Sequence, residues 1–161
     1  MPVSTDERRL LDQAPGDLEL PNQLGAPVKL ADLLGRAVAL FFYPKDDTPG
    51  CTIEGKEFRD LHDEFAALDC VVLGVSVDSV ESHRAFAEKH GFPFQLLADT
   101  EGRLAGVFGV LRGGMAERTT FVIGPAGRIR RAFREVSPRG HALQVLNFVR
   151  SLRQSQMMLG G

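Results

Sequence analysis

The sequence predicts an α/β fold, a central mixed β-sheet with helices on both faces. Two runs carry that expectation. Ala37 to Phe42 and Cys70 to Val77 are apolar nearly throughout rather than at alternate positions, as in strands buried on both faces. Around them lie segments whose apolar residues recur at steps of three and four, the spacing of a helix with one buried stripe. Strands and helices in alternation, closed by a hairpin and a last helix, place parallel strands at the centre of the sheet and antiparallel ones beside them.

In chain order, residues 1–13 read as a loose arm or a short helix. Leu18 and Leu20 alternate with polar neighbours, Asn22-Gln23-Leu24-Gly25 signals a turn, and Val28 and Leu30 resume the alternation. Together they predict an N-terminal β-hairpin. Asp32 to Gly35 is a brief helical turn. The first buried strand, Ala37 to Phe42, stops at Tyr43-Pro44, and a polar loop follows. Thr48-Pro49 then reads as a helix start, with Thr48 as N-cap and Pro49 at the first helical position, where a missing N–H costs nothing. That helix is expected to reach about Leu68, burying Phe58, Leu61, Phe65 and Leu68, with Gly55 weakening it slightly. After the second buried strand, Asp78-Ser79 caps a helix from Val80 to His90 that Gly91 ends. Phe94 to Ala98 is a short strand. Asp99 to Gly102 turns into a short helix bearing Leu104, Val107 and Phe108. Gly109 to Glu117 reads as a glycine-bearing loop. Arg118 to Ile123 and Arg128 to Val136 form a hairpin about Gly124-Pro125-Ala126-Gly127. A last helix, about His141 to Leu152, buries Ala142, Val145, Leu146, Val149 and Leu152, and Arg153 to Gly161 is expected to fray. This order is the layout of a thioredoxin-like fold. It is expected to form one domain over 1–161, with its core at about 11–152.

Composition narrows the function. Of 161 residues, 43% are apolar and 25% charged, ordinary values for a soluble protein. A net charge of −2 gives no reason to expect nucleic acid or an anionic membrane as partner. No apolar run approaches the ~18 residues of a membrane span, and the N-terminus lacks the apolar core of a signal peptide. The two cysteines, Cys51 and Cys70, make neither a disulfide scaffold nor a CxxC motif nor a zinc spacing. No metal or cofactor is expected, and a reducing cytoplasm is the expected compartment.

Chemistry points to Cys51. Ligand sites of open α/β sheets lie beyond the carboxyl ends of the parallel strands, and Cys51 falls just past the strand ending at Phe42. It also falls in the first turn of a helix, where free backbone N–H groups and the positive end of the dipole favour a thiolate. Cys51 is therefore a candidate nucleophile.

The run Tyr43-Pro44-Lys45-Asp46-Asp47-Thr48-Pro49-Gly50-Cys51-Thr52, with Glu54 one turn on and Glu57-Phe58-Arg59-Asp60 after it, resembles the active-site signature of peroxiredoxins of the Q type, also called bacterioferritin comigratory proteins. Further segments agree in order: Ala14-Pro15, Leu20-Pro21-Asn22, Val72 to Ser79, Phe86 to Gly91, Phe94 to Asp99 and Arg118-Thr119-Thr120-Phe121-Val122-Ile123. The resemblance covers about Leu11 to Arg150. It implies a thiol-dependent peroxidase acting on hydrogen peroxide and alkyl hydroperoxides, with Cys51 as the attacking thiolate. It implies that Arg118 comes close to Cys51, and that Thr48, the Cys51 N–H and Arg118 donate hydrogen bonds to the peroxide oxygens. Pro44 would shield the site, and Glu54 would orient Arg118 through a carboxylate–guanidinium pair. Glu54 read alone is equally a first-turn carboxylate favoured by the dipole.

The sequence departs from the family in one chemically important way. Many Q-type members carry a resolving cysteine five residues after the first, where this chain has Lys56, and others place it in the next helix, where Val80 to His90 holds none. Cys70 follows a helix of ~20 residues, ~30 Å long, whereas a disulfide needs Cα atoms within ~7 Å. The expectation is a one-cysteine mechanism with an external thiol such as thioredoxin or glutaredoxin, in a monomer or weak homodimer. Two other readings stand beside it: a redox sensor that relays oxidation by mixed disulfide, and a thioredoxin-like disulfide oxidoreductase, against which the missing CxxC argues. Cys70 reads as a small buried thiol. Thr48 reads as a helix cap as well as a ligand. Asp46 and Asp47 read as solvated loop charges, and Arg128 to Arg131 as an exposed strand face. His62, His83, His90 and His141 read as structural or surface residues.

Overall fold

The computed structural model describes residues 18–134 and 136–158, so the N-terminal arm and Ala14-Pro15 lie outside the described residues. The N-terminal hairpin pairs β1 (Glu19–Pro21) with β2 (Pro27–Lys29) antiparallel, and a 3₁₀ turn, Leu30–Leu33, leads out of it. The sheet proper has five strands: β3 (Ala37–Phe42), β4 (Cys70–Ser76), β5 (Gln95–Ala98), β8 (Thr119–Ile123) and β9 (Ile129–Phe133). Their order is β5-β4-β3-β8-β9. β3, β4 and β5 are parallel, and β8 and β9 add antiparallel.

β3 is buried at all six positions, and its pleat divides them between two cores. Ala37, Ala39 and Phe41 face one, with Phe58, Phe65, Phe92 and Phe94. Val38, Leu40 and Phe42 face the other, with Leu73, Leu97, Phe108 and Phe121. The first core is built on ring contacts: Phe41 stacks on Phe58 at 4.5 Å between centroids and meets Phe94 edge-on at 5.6 Å. Gly55 belongs to this packing. A Cβ there would lie 2.6 Å from Phe92 Cζ, so the missing side chain is what lets the Phe92 ring lie against the helix.

Among the described residues, five α-helices complete the fold: α1 (Pro49–Asp60), α2 (His62–Ala67), α3 (Val80–His90), α4 (Arg103–Val107) and the C-terminal α5 (His141–Met158). The expected single helix from Pro49 to Leu68 is thus two, parted at Leu61, whose backbone (φ −99°, ψ 4°) leaves the helical range while its N–H still bonds Glu57 O at 3.1 Å. α3 starts where expected, with Ser79 Oγ accepting from Ser82 N–H, and ends on the left-handed Gly91. The expected loop at Gly109 to Glu117 contains a short antiparallel pair, β6 (Leu111–Arg112) and β7 (Met115–Ala116). α5 continues to Met158, so the fraying expected from Arg153 does not begin there. Among the described residues, no helix is long and apolar enough to cross a membrane.

The topology separates the two cysteines for a different reason from helix length. Cys70 pairs with Ala37 at the entry of β3, whereas Cys51 lies beyond its exit at Phe42. Five strand steps of ~3.3 Å put roughly 17 Å of sheet between those ends.

Candidate active site

The loop leaving β3 is held from inside. Tyr43 N–H extends the pairing to Val75 O at 3.1 Å. Asp46, expected in solvent, is 7% exposed. Its Oδ1 accepts from the Tyr43 hydroxyl at 2.6 Å, and its Oδ2 accepts from the Ser82 hydroxyl at 2.8 Å and lies 2.7 Å from His83 Nδ1. Its own N–H donates to Asp78 Oδ2 at 2.8 Å. His83 Nε2 lies 2.9 Å from Leu97 O. These bonds are why Asp46 turns inward: they tie the loop to α3 and β4, and a carboxylate is buried where donors meet it. Asp47 does face solvent, at a left-handed φ of 59°, and its ion pair with Lys89 holds its carboxyl below the ordinary range.

Asp46, Asp78 and His83 also form a group whose potential ligand atoms lie within 4.8 Å of one another. Their oxygens already accept from Tyr43, Ser76, Ser82 and the Asp46 amide, so the cluster is complete as a hydrogen-bonded clamp.

Pro44 is half-buried at the start of this loop. Thr48 is the N-cap residue of α1, but its side chain does not cap; the hydroxyl donates to Lys45 O at 2.8 Å. With its proton directed there, Thr48 Oγ1 keeps lone pairs free to accept a further hydrogen bond. The first intrahelical bond runs from Thr52 N–H to Thr48 O at 2.9 Å, which leaves the Cys51 N–H without a partner inside the helix.

Cys51 lies in the first turn of α1 and is 2% exposed. Arg118, just ahead of β8, brings Nη2 to 3.4 Å from Cys51 Sγ and Nη1 to 2.7 Å from Glu54 Oε1. One guanidinium thus joins residues 67 and 64 positions away. Gly50 makes room for it: a Cβ there would lie 2.9 Å from Arg118 Nη2 and 3.3 Å from Pro138 Cγ. Glu54 is fully buried. Burial pushes its carboxyl up to about 7, with the Arg118 cation opposing that rise. The structure therefore brings Cys51, Glu54 and Arg118 into contact, with Thr48 and Pro44 in the preceding loop.

Sequence reasoning passed over His141, which is 1% exposed and stands behind Glu54. Its Nε2 lies 2.6 Å from Thr120 Oγ1 and 3.8 Å from Glu54 Oε2. The rings of Phe58 and Phe133 meet it edge-on at 5.9 and 5.6 Å. Burial pulls its pKa down to about 4; Gln144 opposes this, and the Arg118 cation adds to it. A sequence signal existed: carried back one turn, the buried stripe of α5 (Val145, Val149, Leu152) lands on position 141. Cys70 is 2% exposed, and burial pushes its thiol up to about 12, so it stays a protonated packing residue.

The AhpC/TSA family model matches residues 10–132. Peroxiredoxin Bcp of Bacillus subtilis is 43% identical over 152 residues, covering 89% of this chain and 97% of its own. Peroxiredoxin Bcp of Xanthomonas campestris is 40% identical over 150 residues, covering 88% and 94%. Among solved structures, peroxiredoxin Q of Xanthomonas campestris superposes with a TM-score of 0.84 at 38% identity, covering 87% and 94%. Another Xanthomonas campestris structure with the same statistics concerns alkyl peroxide reduction by a bacterioferritin comigratory protein. The architecture, the Cys51 helix and these likenesses agree, and the chain belongs to the AhpC/TSA family, among the Bcp and peroxiredoxin Q peroxiredoxins, which are thiol-dependent peroxidases.

Proposed function

We propose that this chain reduces hydrogen peroxide and alkyl hydroperoxides through Cys51 in a one-cysteine cycle completed by an external thiol. The observation that carries the reading is the Arg118 fork, with one nitrogen 3.4 Å from the Cys51 sulfur and the other 2.7 Å from buried Glu54. In the first step the Cys51 thiolate attacks the terminal oxygen of ROOH. The S–O bond forms as the O–O bond breaks, and that bond's electron pair leaves on RO⁻. Sulfur is oxidised by two electrons and the peroxide reduced by two. Thr48 Oγ1 accepts the hydroperoxide O–H and so orients it; that proton ends on the leaving alkoxide. Arg118 and the Cys51 N–H stabilise the charge developing on oxygen, an effect worth ~10²–10³-fold per well-placed donor.

The products are ROH and a Cys51 sulfenate, which takes a proton to become the sulfenic acid. A thiol R′SH then attacks its sulfur, releasing water and leaving a mixed disulfide. A second thiol displaces Cys51 as the thiol and departs as R′SSR′. Cys70, at the opposite end of β3 and held as a neutral thiol, does not supply that first attack. Because Cys51 is only 2% exposed, the first turn of α1 has to open for a bulky reductant to reach the sulfenic acid.

The test is steady-state peroxide consumption with thioredoxin, glutaredoxin and low-molecular-weight thiols compared side by side. Cys51→Ser should abolish turnover and Cys70→Ser should retain most of it. Full activity in Cys51→Ser sinks the reading. An intramolecular Cys51–Cys70 disulfide seen by mass spectrometry after one equivalent of peroxide sinks the one-cysteine cycle alone. Slow turnover with every thiol, together with trapping of one specific protein on Cys51, favours a relay to that protein instead.

A further inference from the structure

Glu54 is enclosed and only half satisfied. Oε1 receives Arg118, but Oε2 has no hydrogen-bond donor. A buried carboxylate oxygen without a donor is costly and calls for a reason. The polar groups facing this carboxyl come from every element packed on it: Cys51 and Glu57 along α1, Arg118 ahead of β8, Thr120 in β8 and His141 at the start of α5, with β9 contributing the Phe133 ring against His141. Of these, His141 aims a nitrogen at the orphaned oxygen, with Nε2 at 3.8 Å. That is beyond a hydrogen bond but within the reach of a dipole acting on a charge in a low-dielectric interior.

The imidazole carries a single proton when neutral. Nδ1 is buried with no partner of hydrogen-bond geometry. Nε2 lies 2.6 Å from Thr120 Oγ1 with Glu54 Oε2 beyond it, so a proton placed on Nε2 faces both oxygens. We propose that His141 is a positioning residue of the peroxidase site, whose Nε2–H supports the ionised form of Glu54 and thereby keeps Arg118 anchored beside the Cys51 sulfur. The low pKa of His141 fits this role, since a neutral ring contributes a dipole without adding a second cation beside Arg118. The arrangement also explains why a histidine occupies the buried stripe of α5, where Phe58 and Phe133 would pack equally well on an apolar ring.

The inference rests on the Cys51 reading, and its test separates the two. Peroxide-dependent kcat/KM is measured against pH for the wild type, His141→Leu and His141→Gln. Leucine removes the N–H; glutamine returns one near the Nε2 position. Removing the N–H takes away a dipole that favours the carboxylate and raises the Glu54 pKa, so the acid limb of the His141→Leu profile should move up, by roughly half to one pH unit. Glutamine should bring it back. In a Glu54→Gln background, where there is no carboxylate to support, His141→Leu should move the profile no further. An unmoved limb in folded His141→Leu, a Gln variant no better than Leu, or a shift that persists in the Glu54→Gln background overturns the proposal. If His141→Leu does not fold, His141→Asn, whose amide is too short to reach the Nε2 position, takes its place against His141→Gln under the same criteria. Loss of turnover in Cys51→Ser alongside a flat His141 series overturns this inference alone and leaves the peroxidase reading standing.

Discussion

Glu54→Gln should make the protein more stable in mild alkali while making it a worse peroxidase. The magnitude follows from linkage. Burial raises the folded-state pKa of Glu54 from 4.5 to about 7, and its pairing with Arg118 is already contained in that value. Below pH 4.5 the carboxyl is protonated in both folded and unfolded chains and adds no pH dependence. Between about 4.5 and 7 the unfolded chain has released the proton and the folded one has not. Stability then falls by ~1.4 kcal/mol per pH unit. Above 7 both forms are ionised and the loss levels off at roughly 3 kcal/mol, a figure that needs no large solvent discount because the side chain is fully buried. Glutamine keeps the shape and an acceptor for Arg118 Nη1 but has no proton to lose.

The assay is urea unfolding of both proteins at pH 5 and pH 8, compared through the midpoint at equal slope. Over that interval the wild type should lose about 2.5 kcal/mol more than Glu54→Gln. The variant's kcat/KM for peroxide should meanwhile fall ~10–100-fold, the worth of one charge-assisted hydrogen bond that positions Arg118. Parallel pH profiles of stability refute the reasoning, because they mean that Glu54 titrates near its ordinary value in the folded state. A stability loss in the variant at pH 8 refutes it too, because the buried ion pair is then worth more than its desolvation.

Three further substitutions test other contacts. Thr48→Val should cut kcat/KM ~10-fold, the worth of one neutral hydrogen bond to the hydroperoxide, yet move the thermal midpoint by only a few degrees, since the hydroxyl caps no helix N–H; Thr48→Ser should restore the rate. Gly55→Ala should destabilise by ~1–3 kcal/mol, read by urea titration, because its Cβ would lie 2.6 Å from the Phe92 ring; a neutral result means that ring moves freely. His83→Ala should cost about 3 kcal/mol, leaving Asp46 short of a partner and Leu97 O without its ring nitrogen, and should slow peroxide turnover by loosening the loop that carries Thr48.

What could be read from the sequence and what could not divide along physical lines. β3 and β4 were legible because burial on both faces leaves no polar position to confuse the period. Cys51 was legible because a Thr-Pro start fixes a helix N-terminus without any tertiary information. The approach of Arg118 to Cys51 was not legible from local chemistry, since it spans 67 residues; only the motif of its strand pointed to it. The break at Leu61 has no glycine or proline to announce it. Asp46 misled because a charged residue in a polar loop is ordinarily solvated, and its inward turn depends on Tyr43, just past β3, and Ser82 and His83, in the first turn of α3, converging from two places in the chain. His141, read as structural or surface, is the structural case: it obeys the buried spacing of α5, whereas its approach to Thr120 and Glu54 joins residues too far apart in the chain to be legible locally.

Asp46 and Glu54, both buried in this fold, show two ways of housing a carboxyl group. Asp46 is fully met: Tyr43, Ser82 and His83 all reach it, and it serves as a fixed point for the loop. Glu54 is met on one oxygen only and carries a pKa near neutrality. A purely structural role selects the first kind of site, because an unmet buried oxygen costs stability and adds no rigidity. The second kind persists where the charge itself is needed. Arg118 must stay within reach of both the sulfur that becomes oxidised and the oxygen that leaves, and a long side chain with 16% of its surface exposed stays there only if something behind it pulls. A fully solvated carboxylate would pull weakly, and one satisfied by two further donors would have its charge already spent. An acid held by burial, with His141 as its remaining support, directs its field at Arg118, and the roughly 3 kcal/mol it costs above neutral pH is the stability given up for that orientation.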